Sequence, residues 1–303
     1  MIHPYSTEMY ARTLKNIGQA LFVPHWRTSV LVRKINATCE DIIGVYPITV
    51  IAQDADLKGG LDYLKKAGFV SVILVFDHFN HPSVSKLQEA FEFFRPFKEH
   101  YIYRPQASPI KYSKHHRYEI RKALKTLHVE KINLGNEIHH WQELYSNLIK
   151  RHHLKSLHVF PPEHYQTLSH LEGIISFGAW MNNKLVSCHI WAEHNGFVHS
   201  HLAASNETGY ETSAAYALND LAITYFNEAK IINFGGGAGF TNDLNNGLVK
   251  FKRGFSNEQA MSYLGGAILN KDIYQKLLLE YGVNNTVTDF FPAYRLTKNG
   301  SIE

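Results

Sequence analysis

The sequence has little cysteine and no long apolar run. Its two cysteines, Cys39 and Cys188, lack C-x-x-C spacing, which argues against a zinc ribbon or a disulfide framework. No apolar stretch reaches the about 18 residues that a membrane-spanning helix needs. No basic region followed by an apolar run opens the chain, so we expect no secretory signal. These absences predict a protein of the reducing cytoplasm without a transmembrane segment.

Motifs for metal binding and covalent catalysis are absent as well. The 19 histidines include adjacent pairs such as His115-His116, but no H-E-x-x-H or Cys/His spacing occurs, so we expect no metal site. No Ser/His or Cys/His motif indicates an acyl-enzyme, and we expect no covalently bound cofactor. The formal net charge of +4 is mildly basic, which suits an anionic small molecule or an RNA and does not require DNA.

The first part of the chain alternates strand and helix patterns. An extended run covers Ile42–Ile51, and Leu57–Ala67 is amphipathic at helical spacing. Gly68 follows that helix in the position that glycine favours after a helix end. Val70–Phe76 is a continuous, β-branched apolar run, which is typical of a buried strand. This alternation predicts a mixed α/β fold.

A boundary follows this first part. Two prolines within Arg104–Pro109 interrupt regular structure, so we predict one domain over residues 1–108 and a second over 109–303. Ser113 is a plausible N-cap for the next helix. On that helix Arg117, Arg121 and Lys125 recur every four residues and form one basic face.

The second part is more regular. Ile174–Met181 and Lys184–Glu193 read as a hairpin, because a two-asparagine link joins two β-type runs. A strand over Phe197–Ala203 and a capped helix over Ala214–Ala229 follow. Next come a strand over Ile231–Phe234, a glycine-rich turn and a short basic helix. Glycines at a strand end allow the close approach of backbone or ligand, although a solvated connection has the same composition.

Four segments in this order resemble the Fem-type, or acetyltransferase-6, group of the GNAT acyltransferase superfamily. The resemblance extends over residues 113–263 and implies two GNAT-like halves, each a mostly antiparallel central sheet flanked by helices. One signature of the superfamily is missing, the pyrophosphate motif Arg/Gln-x-x-Gly-x-Gly/Ala. The matching segments are Ser113…Arg117…Ile120-Arg121-Lys122-Ala123, Ala203-Ala204-Ser205, Phe234-Gly235-Gly236-Gly237, and Gly247-Leu248 with Phe251-Lys252-Arg253-Gly254-Phe255.

The resemblance implies an acyltransferase. The expected donor is an acyl-coenzyme A, and the expected acceptor is an amine or hydroxyl on an anionic molecule such as a sugar nucleotide or a cell-envelope polysaccharide precursor. A second reading is a Fem-type aminoacyltransferase that moves an aminoacyl group from tRNA to a peptidoglycan-like precursor. A third, from another class, is a degenerate and non-catalytic binding module.

Three residues are candidates for catalysis. Lys252 would meet a donor phosphate or the oxyanion of a tetrahedral intermediate, and the alternative is a solvated lysine. Asp243 would orient or deprotonate an acceptor amine, or it caps the following helix. Tyr216 would protonate a leaving thiolate, or it packs in the core.

Two further groups are candidates for binding. For the donor we predict the helix-opening loop with Gly209, Tyr210, Thr212 and Ser213, together with Phe251 and Lys252, because free N–H groups at a helix start attract phosphate. An ordinary capped helix explains the loop equally well. For the acceptor we predict Arg117, Arg121, His201, Gly235, Gly236 and Gly237. Arginine forks match phosphate oxygens, although a solvated helix face has the same pattern.

Overall fold

The computed structural model describes residues 2–79, 81–154, 158–237, 246–283 and 290–296, and within them the chain forms strands and helices of mixed α/β class. The strands are β1 (Gln19–Val23), β2 (Thr28–Lys34), β3 (Glu40–Gly44), β4 (Ser71–Phe76), β5 (Phe93–Tyr103), β6 (His128–Ile132), β7 (Ile174–Met181), β8 (Lys184–His194), β9 (Phe197–Ser205), β10 (Ile231–Asn233) and β11 (Glu258–Ile268). The helices are α1 (Glu8–Arg12), α2 (Leu57–Lys66), α3 (Val84–Ala90), α4 (Lys114–Leu124), α5 (Ile138–His152), α6 (Pro162–His170), α7 (Glu207–Glu211), α8 (Ala214–Tyr225), α9 (Gly247–Arg253) and α10 (Lys271–Glu280).

The chain divides into two compact units. The split unit consists of Tyr5–Phe97 and Ser262–Glu303, and the central unit consists of Met1–Pro4 and Lys98–Met261. This division differs from the predicted boundary after residue 108, because the last part of the chain returns to the unit that contains the first strands. No helix in the described part of the chain is long and apolar enough to cross a membrane.

The split unit contains a sheet in the order β1-β2-β3-β4-β11. Its neighbouring strands are antiparallel except for the parallel pair β3–β4. Helix α2 connects that pair and begins after Asp56, whose side chain accepts a hydrogen bond from the Gly59 N–H. The predicted run Ile42–Ile51 pairs only as far as Gly44, and Pro47 lies in the segment beyond. A proline lacks the N–H that a sheet ladder needs, so the strand prediction was wrong there.

A buried aspartate fixes the returning C-terminal segment in the split unit. Asp41 is fully buried on β3 and forms two-pronged ion pairs with Arg33 and Arg295, at N···O distances of 2.9–3.2 Å. The Tyr294 hydroxyl donates a third hydrogen bond to the same carboxylate at 2.9 Å. A buried carboxylate needs such charged partners, so Asp41 makes residues 294–295 an integral part of this unit.

The central unit contains a sheet in the order β5-β10-β9-β8-β7-β6. Its neighbours are antiparallel except for the parallel pair β9–β10, which α7 and α8 connect. The predicted hairpin β7–β8 is present. Asn182 and Asn183 have positive φ angles of 52° and 61°, as the tight turns that match strand twist require. Both units therefore show the predicted mostly antiparallel sheet flanked by helices.

Candidate functional site

The candidate site lies in the central unit, where β10 ends in the glycine turn. The Asn233 side chain accepts a hydrogen bond from the Gly235 N–H at 2.8 Å, and its amide nitrogen lies 3.1 Å from His100 Nδ1. Gly235 has a φ angle of +74°, a conformation that glycine adopts without strain. The turn is therefore fixed to β5 through Asn233 and presents its backbone groups in a defined direction.

The structure brings Lys252 to this turn. Its Nζ donates a hydrogen bond to the Gly236 carbonyl oxygen at 2.7 Å, and a Cβ placed on Gly235 would lie 3.4 Å from the same nitrogen. Burial, followed by repulsion from Lys98, lowers the pKa of Lys252 to about 8. The predicted residues Lys252, Gly235 and Gly236 thus form one site, in which the ammonium is less hydrated and more acidic than an ordinary lysine.

The short helix α9 carries Lys252 and packs closely on the turn. Asn246 begins the helix by accepting a hydrogen bond from the Leu248 N–H at 2.9 Å. A Cβ on Gly237 would lie only 2.9 Å from the Val249 side chain, so the close packing of turn and helix depends on glycine there. Asp243, predicted as a catalytic acid or cap, lies outside the residues that the structure describes.

An aromatic cluster packs against α9. The Tyr216 ring lies perpendicular to Phe251, with centroids 4.8 Å apart, and also contacts Phe255 at 5.9 Å. The Tyr216 hydroxyl lies 3.2 Å from Nε2 of His115. Partial burial, followed by the charge of Glu119, raises the pKa of Tyr216, so its hydroxyl retains its proton at neutral pH.

His116 holds α9 against α4, and sequence reasoning missed this role. The imidazole is buried, with Nε2 3.1 Å from the Phe251 carbonyl oxygen and Nδ1 3.0 Å from the Ser113 hydroxyl. Nε2 therefore carries the proton, since a carbonyl can only accept. Burial lowers the pKa of His116, which favours the neutral ring in this position. Gly254 lies against the His116 ring and leaves room for it. This glycine is a sign of the packing role of His116 that can be read from the sequence.

We expect Gly254→Ala to destabilise the protein by about 1–3 kcal/mol, because overpacking a closed site forces its neighbours to move. A Cβ on Gly254 would overlap the His116 imidazole. Gly247→Ala on the same helix is the matched control, since a Cβ there meets no described residue within 4 Å. Urea unfolding of both variants measures the effect. Equal stability of the two would contradict the packing role of His116.

The predicted donor loop is closed by its own hydrogen bonds. The Gly209 N–H donates to the Asn206 side chain at 3.0 Å, and the Thr212 hydroxyl donates to the Thr208 carbonyl at 2.7 Å. A Cβ on Gly209 would overlap the Val186 carbonyl oxygen, so this glycine serves a close contact between backbones. The side chains of Asn206 and Thr212 thus form their hydrogen bonds within α7 and its flanking turns.

Ser213, a predicted donor-binding residue, does not cap α8 with its side chain. It stands at the N-cap position with a left-handed φ angle of 63° and makes no side-chain cap hydrogen bond. Its hydroxyl donates instead to the Glu119 carboxylate. The Lys122 ammonium donates to the Glu211 carbonyl at 2.7 Å. The Glu119 carboxylate and the Lys122 ammonium, both from α4, therefore lie at the start of α8.

The remaining predicted binding residues are Tyr210 within the loop and two arginines on α4. Arg151 stacks over the Tyr210 ring at 4.2 Å and pairs with Glu207. Arg117 and Arg121 are exposed on α4, and within the described ranges their guanidinium groups have no hydrogen bond or ion pair. The structure brings neither arginine to the glycine turn.

His201 is buried among other histidines. Burial, followed by repulsion from His164, His199 and His3, lowers its pKa well below the ordinary value. It is 5% exposed, so it presents no surface to an acceptor in this structure. Over the described part of the chain, no group of three or more His, Cys, Asp or Glu residues is arranged to hold a metal ion.

The sequence matches no family model and no curated protein, but solved structures share its fold. FemX is 12% identical, with a TM-score of 0.61 over 90% of this chain and 95% of that one. The C-terminal domain of a putative lysylphosphatidylglycerol synthetase from Agrobacterium fabrum is 14% identical, with a TM-score of 0.57 over 90% of each chain. L-PGS from Bacillus licheniformis is 15% identical, with a TM-score of 0.56 over 92% of this chain and 96% of that one. These likenesses confirm the predicted Fem-type resemblance at the level of the fold.

Proposed function

We propose that this protein is an acyltransferase that moves an aminoacyl group from tRNA to an amine or hydroxyl of an anionic acceptor. The observation that carries the proposal is the Lys252 ammonium, held 2.7 Å from the Gly236 carbonyl of the glycine turn. The fold supports it, since one protein that shares it is named as a putative synthetase of lysylphosphatidylglycerol, a phospholipid that carries a lysyl group.

The chemistry follows from the remaining donors of Lys252. The acceptor nitrogen or oxygen attacks the acyl carbonyl carbon, whose oxygen becomes negative. A lysine ammonium has three N–H donors, and Gly236 accepts one of them. No described residue accepts a hydrogen bond from the other two, which we assign to the oxyanion. An amine acceptor loses its proton to water after the attack and needs no strong base.

Proton transfer to the leaving group completes the reaction. The bond from the acyl carbon to the ribose oxygen breaks, and that oxygen takes a proton. An ammonium with a pKa of about 8 is well matched to donate near neutral pH. We propose Tyr216 as a second proton donor, because it retains its proton and its ring packs on Phe251, the neighbour of Lys252. Gly235, which has no side chain beside the Lys252 ammonium, allows the substrate to approach that nitrogen.

The closed loop before α8 favours aminoacyl-tRNA over acyl-coenzyme A as the donor. A helix start binds pyrophosphate through free N–H groups and a positive local charge. Here Glu119 accepts the Ser213 hydroxyl, and Lys122 is engaged by the Glu211 carbonyl. The negative charge of Glu119 opposes a pyrophosphate, and the Gly209 N–H is already bonded.

The basic face of α4 supports an anionic substrate. Arg117 and Arg121 are exposed, and arginine forks bind phosphate oxygens with two parallel hydrogen bonds. We propose that they contact phosphates of the acceptor. We assign no substrate contact to His201, because it is buried. A non-catalytic module would keep the same binding residues without turnover.

A transfer assay tests this function. Purified protein is incubated with labelled aminoacyl-tRNA or labelled acetyl-coenzyme A, and with phosphatidylglycerol vesicles or amino-sugar nucleotides as acceptors. We expect label to move from aminoacyl-tRNA, with affinity for tRNA falling steeply as salt rises because many phosphates are neutralised. Arg117→Gln combined with Arg121→Gln should raise the acceptor KM.

The assay separates the alternatives. Lys184→Gln is the control for the arginine variant, since Lys184 is exposed at the start of β8 in the same unit. Transfer from acetyl-coenzyme A alone would overturn the choice of donor. Tight tRNA binding without transfer to any acceptor would favour the binding module. Failure of every donor to bind or react would overturn both the transferase and the binding-module interpretation.

A further inference from the structure

The Tyr216 hydroxyl has a fixed neighbour, the imidazole of His115 on α4. Nε2 of His115 lies 3.2 Å from the hydroxyl oxygen, and the two rings are perpendicular with centroids 5.8 Å apart. The Tyr216 ring is held from other sides by His116, Phe251 and Phe255, at centroid distances of 4.8–5.9 Å. These aromatic contacts keep the hydroxyl directed at His115.

A carboxylate lies beside the other nitrogen of the same imidazole. Glu119 Oε1 is 3.8 Å from His115 Nδ1, one helical turn further along α4. The second oxygen of Glu119 accepts the Ser213 hydroxyl and lies 4.0 Å from the Lys122 ammonium. A carboxylate repels a bare ring nitrogen and attracts an N–H, so Glu119 favours a proton on Nδ1 of His115.

His115 also connects this group of side chains to solvent. Its own side chain is 64% exposed, whereas that of Glu119 is 16% exposed. From α9, the rings that face Tyr216 are uncharged phenylalanines. Within the described residues, the titratable groups around the His115 ring and its carboxylate partner are Glu119, His116 and Lys122 on α4 and Tyr216 on α8.

The charge of His115 determines the direction of its hydrogen bond with Tyr216. A neutral ring with its proton on Nδ1 presents a bare Nε2, which can only accept, so the Tyr216 hydroxyl donates to it. A protonated ring carries a proton on both nitrogens, so Nε2 donates and the Tyr216 oxygen accepts. The Tyr216 proton is therefore engaged by His115 in the first state and free in the second.

We propose that His115 is a positioning residue whose protonation frees the Tyr216 hydroxyl proton for the leaving group. This inference rests on the proposed function, in which Tyr216 is the second proton donor. When the bond from the acyl carbon to the ribose oxygen breaks, that oxygen keeps the electron pair and takes the Tyr216 proton. The Tyr216 oxygen then takes the Nε2 proton of His115, and water reprotonates the ring. Histidine changes its charge between pH 5 and 8, so the contribution of Tyr216 to the rate should rise as pH falls.

The first test locates the proton without any transfer reaction. Protein with ¹⁵N-labelled histidine is followed by NMR from pH 8 to pH 6, because ¹⁵N shifts distinguish bare from protonated ring nitrogens. The signal that is missing from His115→Gln identifies the residue. We expect neutral His115 to carry its proton on Nδ1, and Glu119→Gln to move that proton toward Nε2, since the charge that favours Nδ1 is lost. A neutral wild-type ring with its proton on Nε2 would overturn the proposal.

The second test measures what the Tyr216 hydroxyl contributes at each pH. Single-turnover transfer rates of the wild type and of Tyr216→Phe are compared as a ratio, so that changes common to both proteins cancel. We expect the ratio to rise about tenfold from pH 8 to pH 6, within the 10²–10⁴-fold that general acid catalysis contributes. A ratio that stays constant over this range would overturn the proposal.

Replacement of His115 makes the result specific. His115→Gln retains a hydrogen-bonding group without a charge that changes, so the effect of adding Tyr216→Phe to it should not vary with pH. His139→Gln, at an exposed histidine of α5, is the control and should keep the wild-type dependence. The same dependence in His115→Gln would overturn the proposal. Because NMR locates the proton without turnover, the expected proton position with no transfer would contradict the proposed function alone.

Discussion

Lys252→Met lowers the rate of acyl transfer by about 10²–10³-fold, the usual cost of removing one donor to a developing oxyanion. Methionine retains the length of the aliphatic stem and removes the ammonium that binds Gly236. The folded state should not suffer, because the substitution removes a partly buried charge whose pKa is depressed to about 8. Single-turnover kinetics with saturating substrates measure the chemical step separately from binding.

The control for this variant lies on the same helix. Lys250 is exposed two residues earlier, and we expect Lys250→Met to keep the wild-type rate. Thermal unfolding of both variants should give similar midpoints. A Lys252→Met enzyme that keeps at least half of the wild-type rate would contradict the assigned role.

The pH profile adds an independent readout. If transfer needs the protonated amine, the wild-type rate falls as pH rises through about 8, the pKa of Lys252. Lys252→Arg keeps its charge at every accessible pH. The alkaline limb of the pH profile should therefore shift to higher pH, even where the maximal rate is lower. If the alkaline limb is unchanged in this variant, the group that must be protonated for transfer is not Lys252.

Mild acid destabilises the central unit through its buried histidines. Burial lowers the pKa of His189 to about 4 and that of His164 to about 3. In the unfolded chain both return to about 6.5, so the unfolded state binds more protons below that pH. Their contribution to stability is therefore present above about pH 6.5 and is lost as pH falls toward the folded pKa values. For His189 alone we expect a loss of about 2 kcal/mol between pH 7 and pH 5.

Urea unfolding at pH 7 and pH 5 measures this loss. His189 is buried on β8, with Nδ1 3.1 Å from the Asn219 side-chain oxygen, so His189→Asn removes one titrating group. The variant should be less stable at pH 7 but should lose less stability on acidification. His128→Asn is the control, because that side chain is 71% exposed. Equal pH dependence in all three proteins would refute the prediction.

Local signals in the sequence were sufficient for many elements. Ser113 begins α4 by accepting the His116 N–H, as predicted, and Gly68 follows α2 with a φ of +90°. The two asparagines of the β7–β8 turn likewise act through their own backbone conformation. Each of these outcomes depends on neighbours within about four residues, which a pattern can represent.

Long-range features could not be predicted in the same way. The contact between His100 and Asn233 joins residues from two distant strands and appears only when β5 pairs with β10. The pairing of β11 with β4 places the last part of the chain in the split unit. The closure of the loop at Ser213 depends on Glu119, a residue of another helix. Such contacts are set by tertiary packing and leave no periodic trace in the sequence.

The return of the C-terminal segment determines the order in which the protein matures during translation. The ribosome releases Asp41 together with Arg33 but delivers Arg295 only after the entire central unit has emerged. Until β11 arrives, β4 lacks one of its two neighbours and exposes a strand edge that favours association with other chains. The nascent protein thus has a vulnerable interval that spans most of its synthesis, and a ribosome that stalls before β11 leaves a product suited to chaperone capture.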